Sequence, residues 1–437
     1  MKKLAIRFAP CPQNDFPQFI ERYFRECSNR FPKIEAISGK WEFEDLIPGM
    51  SDFDTRFLCT DSMTADDWCE MSSIVGQVHL DLCDQYPEWA RILEHLPGIN
   101  LTWSEMQDEL TYYPEYKQWS FYHCLNQPLQ AQIKNFLEKR NWDFKDEYFH
   151  LKKFLLYYGP YDRSIDVPIN LGVFESKYPL HSRLMHYFTP PIQSAVSIAL
   201  RKTVRGKLAA IRMAKDIFPK ISVFDELLEL VACHYEKPHL YEEPALSKLE
   251  VRLFDALKTV AGEIAPLITV IPDAAKTPPQ LWKEKIKSVK IDPAMIIFEN
   301  ARFSRLMKGR LFFYVNAPRH FDHLLCIRVE LKRIGANFFR VPFSVFWQVI
   351  HGKKVENPAE IVQQLASDFL DEEEVRCTLE FDRLTRLDYH GREEEIARKI
   401  IPIFDGFYRA LHKITLEVRK HALIKEIADE GKDFPIE

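Results

Sequence analysis

The chain lacks the sequence motifs of several large protein classes. Its 437 residues include only 14 glycines. The patterns GxxxxGK[ST], GxSxG, GxGxxG and HExxH are absent, so P-loop, α/β-hydrolase, Rossmann and zincin classes have no support. The nine cysteines contain no CxxC pair. Such an odd, scattered set favours reduced thiols in a cytosolic protein over a disulfide framework or a zinc site.

Charge and hydropathy patterning exclude further classes. The formal net charge is -5, so there is no overall basic signal for binding nucleic acid. No apolar run approaches the 18 residues that a membrane helix needs. Arg7 interrupts the apolar run at the start of the chain, which argues against a signal peptide. We therefore expect a soluble, cytoplasmic protein that neither spans a membrane nor binds long nucleic acid.

The sequence is rich in apolar and aromatic residues. Hydrophobic residues make up 46% of the chain and aromatic residues 13%, with 32 phenylalanines. Together with the scarcity of glycine, this composition indicates a packed and helix-rich protein. The length is that of two to three domains.

Apolar spacing predicts an N-terminal α/β domain over residues 1–115. Phe16, Ile20 and Phe24 recur at helical spacing, which predicts a helix over 15–31 that stops at Pro32. Alternating or β-prone segments predict the strands of a small mixed sheet. The predicted strands are 33–38, 52–59 and 99–105, and the further helices are 64–82 and 88–96.

The rest of the chain reads as mainly helical, so the predicted fold class is α+β. A helical bundle is expected over 116–275 and a C-terminal α+β or mainly helical domain over 276–437. Pro190-Pro191 marks a break in the pattern. The predicted helices are 127–139, 143–157, 192–217, 223–236, 246–263, 317–334, 343–351, 358–370 and 393–429, the last with a break at Pro402, and the predicted strands are 295–298 and 311–315.

The segment Gly39–Asp54, GKWEFEDLIPGMSDFD, carries the most chemical information. It ends in Ser51-Asp52-Phe53-Asp54 after a Pro48-Gly49 turn. On a strand, the two-residue period places Asp52 and Asp54 on one face, roughly 6.5–7 Å apart along the backbone. Paired carboxylates suit a hard cation such as Mg²⁺. The alternative is that Asp52 and Asp54 lie at the polar edge of a loop and bind no ligand.

This segment resembles the signature of the DNA polymerase β-like nucleotidyltransferases, in which a Gly-Ser or Gly-Gly turn precedes an Asp-x-Asp strand. The resemblance covers roughly residues 15–110. It implies NTP-dependent nucleotidyl transfer with two Mg²⁺ ions. By position it implies that Asp52 and Asp54 are catalytic metal ligands. It also implies that Ser38, Gly39, Lys40 and Ser51 lie at the nucleotide, with Gly39 close to the phosphates.

The resemblance is incomplete at two places. Lys40 stands where the family has Ser or Gly, so either the Lys40 charge or the Ser38 hydroxyl would serve the phosphates. A third carboxylate is expected from a later strand. Glu105 is the candidate, as a third metal ligand or as the base that activates the acceptor hydroxyl. The same argument makes Asp81, Asp84 and Glu109 alternative candidates for the third carboxylate.

The resemblance therefore implies a Mg²⁺-dependent enzyme that moves a nucleoside monophosphate from an NTP to a hydroxyl or phosphate of a small-molecule acceptor. Two alternatives stay open. One is a catalytically inactive nucleotide sensor or interaction module with the same fold, and the other is a transferase that modifies protein or tRNA. Arg201, Arg205 and Arg212 fall near one face of the predicted helix 192–217, which suits either an anionic ligand or a solvated surface.

Overall fold

The computed structural model describes residues 15–40, 42–46, 52–157, 180–233, 243–318, 320, 322–355, 357–366 and 368–430. The fold is α+β, as predicted. The strands are β1 (Ile34–Gly39), β2 (Thr55–Cys59), β3 (Leu101–Thr102) and β4 (Ser120–Cys124). The helices of the first half are α1 (Phe16–Arg30), α2 (Ala65–Gln85), α3 (Trp103–Gln107), α4 (Gln127–Lys139), α5 (Phe144–Tyr157), α6 (Leu180–Leu200), α7 (Lys207–Ile217), α8 (Val223–Cys233) and α9 (Glu243–Ile264).

The second half is helical wherever the structure describes it as regular. Its helices are α10 (Trp282–Ile286), α11 (Pro293–Ser304), α12 (Met307–Asn316), α13 (His323–Ile334), α14 (Val341–His351), α15 (Pro358–Gln364), α16 (Glu372–Thr385), α17 (Glu393–Ile400) and α18 (Phe404–Glu430), and a π-helix, Gly335–Arg340, joins α13 to α14.

The four strands form one small mixed sheet in the order β3-β2-β1-β4. Strands β2 and β3 are parallel, with Leu58 opposite Leu101. Strands β1 and β2 run antiparallel, because the Lys40 N–H donates to the Asp54 carbonyl (3.1 Å) and the Thr60 N–H to the Lys33 carbonyl (2.9 Å). The predicted small mixed sheet is confirmed, whereas β4 was not predicted.

The contacts of the chain define two compact units. Unit 1 contains Met1–Glu21, Ser38–Asp54 and Pro114–Lys290, and unit 2 contains Arg22–Ile37, Thr55–Tyr113 and Ile291–Glu437. The predicted division into 1–115, 116–275 and 276–437 stays a prediction. The contacts group residues 39–54, called the motif segment below, with the helices that follow β4.

Unit 1 has a helical core built from α5 to α9. Its centre includes Phe154, Phe188, Ile211, Phe224 and Leu253, all of which are buried. Helix α6 continues through Pro190 and Pro191, so the predicted break at these prolines is wrong.

The single helix predicted over 192–217 is also wrong. The chain leaves helical geometry at Arg201, which has a φ of 48°, and α7 begins after Gly206, which has a φ of 77°. Positive φ at a non-glycine residue and at the following glycine ends one helix and lets the next start in a new direction.

Unit 2 packs α2 with the C-terminal helices. The strands predicted at 295–298 and 311–315 are wrong, because these residues lie in α11 and α12. Asp292 caps α11 by accepting from the Ala294 N–H (2.8 Å), and Pro293 occupies its first turn. The apolar runs of α11 and α12 are continuous because both helices are buried on several sides. This burial hides the helical period from the sequence pattern.

Two short segments near β3 also differ from prediction. The helix expected over 88–96 contains only a single 3₁₀ turn, Pro87–Trp89. The strand expected over 99–105 is cut to Leu101–Thr102, because Thr102 and Glu105 form a capping box that starts α3.

Among the described residues, no helix is both long and apolar enough to cross a membrane.

Candidate functional site

Asp52 and Asp54 lie just before β2, in backbone that extends the β1–β2 pairing. Strand β2 begins at Thr55 rather than at Asp52. Phe53 is buried, whereas Asp52 and Asp54 are both partly exposed. This alternation is that of an extended chain, so the two carboxylates share a face. Ser51 and the Pro48-Gly49 turn lie outside the described residues.

Lys40 lies on the same face as Asp54, because the two residues oppose each other across the antiparallel pair. Its ammonium group is 3.4 Å from Glu115 Oε2. The other oxygen of Glu115 accepts from Trp119 Nε1 (3.2 Å). Sequence reasoning missed Glu115, which the 3₁₀ segment Pro114–Gln118 brings beside Lys40.

Ser38 shares this face, two residues before Lys40. Its side chain is 1% exposed, and its Oγ has no hydrogen-bond partner among the described residues. A buried hydroxyl without a partner is rare because its desolvation is not compensated. The Ser38 hydroxyl is therefore buried and unsatisfied within the described part of the chain, and its predicted place at a nucleotide stays a prediction.

The backbone of Gly39 lies close to two aromatic rings. A Cβ added to Gly39 would lie 2.2 Å from Phe53 Cζ and 2.8 Å from Tyr122 Cε2. Both rings pack with Phe43, at centroid distances of 5.4 Å and 4.3 Å. Aromatic packing thus explains the glycine, and its predicted position next to phosphates stays a prediction.

Lys207 is a lysine that the sequence did not single out. It is the first residue of α7 and is buried. Burial and the nearby Lys40 charge lower the pKa of Lys207, while Asp45, Asp52 and Asp54 act in the opposite direction. The only sequence signal is that Gly206-Lys207 precedes an apolar helix.

Asp45 fixes the start of α7. Its Oδ1 accepts hydrogen bonds of 2.8 Å from the N–H groups of Lys207 and Leu208, and its Oδ2 accepts from the Glu42 N–H (3.1 Å). A buried carboxylate at a helix N-terminus satisfies orphan donors and interacts favourably with the helix dipole. Asp45 therefore connects the motif segment to the residue that begins α7.

Lys153 of α5 completes the group of cations. Its Nζ donates to Gln118 Oε1 (3.4 Å) and Gln193 Oε1 (3.2 Å). Gln193 is held in turn, because its Nε2 donates to the Val204 carbonyl (3.0 Å). Burial is the main cause that lowers the pKa of Lys153 well below its ordinary range, and the Lys40 charge adds to it. Glu115 and Asp54 partly oppose this effect.

The predicted row of arginines does not form. Arg201 lies beyond the end of α6, and Arg205 precedes α7 and donates through Nε to the Lys117 carbonyl (2.9 Å). Arg212 is exposed and 3.9 Å from the exposed Glu44. The helix break between residues 200 and 207 separates side chains that one continuous helix would have aligned.

Glu105, the predicted third carboxylate, lies in unit 2 and is held by Arg305. Its two oxygens accept from the Arg305 guanidinium at 2.6 Å and 2.5 Å, and Oε2 also accepts from the Thr102 N–H (3.0 Å). Burial alone would raise the pKa of Glu105, but the Arg305 charge outweighs it and the pKa falls to about 2. These contacts give Glu105 a structural role in capping α3.

Two of the alternative carboxylates also have partners within unit 2. Asp81 accepts from Arg30 (2.6 Å) and Gln77 (2.7 Å), and Asp84 pairs with His320 (2.8 Å). Glu109 is exposed. Within unit 1, the structure therefore brings together Asp52, Asp54 and Lys40 from the sequence prediction and adds Glu115, Lys153 and Lys207.

No protein-family model, curated protein or solved structure matches this chain.

Proposed function

We propose that the protein is a Mg²⁺-dependent nucleotidyltransferase that moves a nucleoside monophosphate from an NTP to a hydroxyl or phosphate of a small molecule. The observation that carries this proposal is the shared face of Asp52 and Asp54, with Lys40 opposite Asp54 and with Lys153 and Lys207 within electrostatic reach. The carboxylates can bind the metal ion, and the lysines can bind the negatively charged triphosphate.

The donor set fits Mg²⁺. Asp52 and Asp54 offer carboxylate oxygens, the ligands that this ion prefers, and both side chains are partly exposed. When two Mg²⁺ ions are bound, they would stabilise the charge on the reacting phosphate oxygens. Asp52 and Asp54 would hold them.

The remaining side chains would bind and orient the nucleotide. Lys207 is placed by the α7 N-terminus, which Asp45 anchors. Lys40 is oriented by Glu115. Such preorganised charges stabilise a charged transition state without further reorganisation. The unsatisfied Ser38 hydroxyl offers the nucleotide one more hydrogen bond.

The acceptor in this proposal is small. The net charge of -5 disfavours long nucleic acids, because their binding relies on many contacts from Lys and Arg to phosphates. We place the protein in the cytoplasm, where thiols stay reduced. Among the described residues, Cys27, Cys59, Cys69, Cys83 and Cys377 are free thiols, which supports this compartment.

The test is pyrophosphate release from each of the four Mg-NTPs, with glycerol as a hydroxyl probe and inorganic phosphate as a phosphate probe. The double variant Asp52→Asn with Asp54→Asn should lose at least 100-fold in rate, an amount typical of lost transition-state charge stabilisation. Asp216→Asn is the matched control, because Asp216 is exposed on α7. Unchanged release in the double variant would overturn the metal assignment.

A non-catalytic nucleotide sensor is the second candidate. The ion pair of Glu105 with Arg305 favours it, because it removes the predicted third carboxylate from metal binding. Thermal unfolding with each NTP, with and without Mg²⁺, reports binding through stabilisation. Binding without turnover would favour the sensor. A nucleotide-sized mass added to a protein or tRNA in a cell extract would instead indicate a macromolecular acceptor.

A further inference from the structure

Gln118 and Gln193 both accept a hydrogen bond from the ammonium group of Lys153, but their amide nitrogens differ. Gln193 Oε1 lies 3.2 Å from Lys153 Nζ, and Gln193 Nε2 donates to the Val204 carbonyl (3.0 Å). Gln118 Oε1 lies 3.4 Å from the same Nζ. Gln118 is 1% exposed, and its Nε2 has no hydrogen-bond partner in the part of the chain that the structure describes. A buried amide nitrogen of this kind is rare, because its desolvation is not compensated.

The orientation of the Gln118 amide follows from the lysine beside it. An ammonium group only donates hydrogen bonds, so the amide atom that faces Lys153 must be the oxygen. The two bonds from the amide carbon to its oxygen and nitrogen are about 1.2 and 1.3 Å long, which places Nε2 within about 6 Å of Lys153 Nζ. Two hydrogen bonds of about 2.9 Å to oxygens of one ligand group span this distance.

The 3₁₀ segment Pro114–Gln118 directs Gln118 toward a group of cations. Side chains three positions apart eclipse each other on a 3₁₀ helix, so Glu115 and Gln118 share one face of the segment. Glu115 Oε2 lies 3.4 Å from the ammonium group of Lys40. Gln118 contacts Lys153 of α5 on the same face. One face of this segment therefore meets cations from two different elements of unit 1.

A phosphate group matches this arrangement better than a neutral ligand does. Its oxygens are ionised acceptors, and hydrogen bonds to ionised acceptors are roughly twice as strong as those between neutral groups. Lys153 offers positive charge, and the Gln118 nitrogen offers N–H donors that are already desolvated. A ligand oxygen that accepts from these donors repays their desolvation, which water no longer does at a buried position.

We propose that Gln118 is a phosphate-binding residue, which donates through Nε2 to one phosphate group of the nucleotide while Lys153 binds the same group through its charge. The identity of the ligand rests on the proposed nucleotidyl transfer. Gln118 orients the phosphate without adding charge to the site. Nucleotide binding then offsets the desolvation cost of the buried amide, so this residue contributes more to the complex than to the unliganded fold.

Gln193 supplies the matched control, because its nitrogen already donates to Val204. Gln118→Met and Gln193→Met each remove one amide oxygen from Lys153. Gln118→Met should bind tripolyphosphate in Mg²⁺ buffer about tenfold more weakly than Gln193→Met does, the loss typical of one hydrogen bond to a charged group. Isothermal titration calorimetry measures the affinities of the wild type and both variants. Equal affinities of the two variants would overturn the inference.

Urea unfolding of the unliganded protein separates ligand binding from a structural role. Gln193→Met removes the donor to the buried Val204 carbonyl and should lower the unfolding midpoint. Gln118→Met removes an amide nitrogen without a partner among the described residues, so its midpoint should stay above that of Gln193→Met. The reverse order of midpoints would assign the Gln118 amide to the fold and overturn the inference.

Gln118→Glu keeps the inference falsifiable if Gln118→Met does not fold. The glutamate retains the shape of the side chain and an oxygen toward Lys153, but it replaces the N–H donors with an anionic oxygen. Tripolyphosphate binding should weaken about 30-fold or more, because a lost donor is joined by repulsion between like charges. Unchanged binding in this variant would overturn the inference.

Two comparisons identify which statement has failed. A loss of affinity with ATP, GTP, CTP or UTP but not with tripolyphosphate would place Gln118 at the base or sugar and overturn the phosphate assignment. Weaker tripolyphosphate binding by Gln118→Met in a protein that releases no pyrophosphate from any Mg-NTP would support the phosphate contact and overturn the transferase. A wild type that binds neither tripolyphosphate nor any Mg-NTP would overturn both.

Discussion

Asp45 binds the backbone N–H of Lys207, the first residue of α7. The Asp45 Oδ1 atom accepts from the Lys207 N–H at 2.8 Å, across 162 positions of sequence. One buried carboxylate thus determines where α7 begins, and with it where the Lys207 ammonium group lies. The motif segment and Lys207 are therefore joined in the fold, although they lie far apart in the sequence.

The first prediction concerns this cap. Asp45→Ala should destabilise the protein by about 2 kcal/mol, because a buried helix cap and its hydrogen bonds are lost. The same change should weaken Mg-NTP binding, since the start of α7 is no longer fixed. Urea unfolding and a thermal-shift titration measure the two effects. Asp216→Asn, on the exposed side of α7, should change neither, and an unaltered Asp45→Ala would contradict the anchoring role.

The second prediction tests the packing at Gly39. Gly39→Ala should cost about 1–3 kcal/mol of stability, because its methyl group would overlap the Phe53 ring. Gly262→Ala is the control, since a Cβ there meets nothing within 4 Å and Gly262 lies inside α9. That control should gain up to about 1 kcal/mol from helix propensity. Urea unfolding of both variants checks the pair, and equal effects would refute the steric explanation.

The third prediction concerns acid stability through Glu105. Its pKa is about 2 in the folded protein, against an ordinary value of 4.5. A lowered pKa means that this contribution is fully present above about pH 5 and is lost as the pH falls toward 2. The shift corresponds to a contribution on the order of 3 kcal/mol.

Glu105→Gln should therefore be much less stable than the wild type at pH 7, because it leaves Arg305 buried without its counter-charge. The difference should shrink as the pH falls from 5 to 3. Urea unfolding at a series of pH values measures it. Glu70→Gln, at an exposed position of α2, should track the wild type throughout. A difference that is independent of pH would show that the charge is not the cause.

The fourth prediction separates triphosphate binding from general nucleotide binding. Lys207→Ala should weaken Mg-ATP binding about tenfold, the loss of one charge-assisted contact, and should leave AMP binding within twofold. Lys220→Ala, an exposed lysine just beyond α7, is the control. Isothermal titration calorimetry gives both affinities. Equal weakening for ATP and AMP would place Lys207 away from the β- and γ-phosphates.

Local patterns predicted the early elements well and the later ones less well. Helix α1 and helix α2 were predicted within a few residues, because amphipathic spacing and the Thr64 cap are local signals. The apolar runs inside α11 and α12 predict strands, because burial on several sides removes the period by which a helix is recognised. The break between α6 and α7 depends on backbone conformations at Arg201 and Gly206 that the apolar pattern does not reveal.

The sequence by itself determined the alternation of Asp52, Phe53 and Asp54, since an extended chain must place the two carboxylates on one face and the ring on the other. Tertiary structure decided what surrounds them. It placed Lys153 and Lys207 near the pair and bound Glu105 to Arg305, 200 positions away. Electrostatic neighbours depend on distances in the folded chain, and no local spacing of residues encodes them.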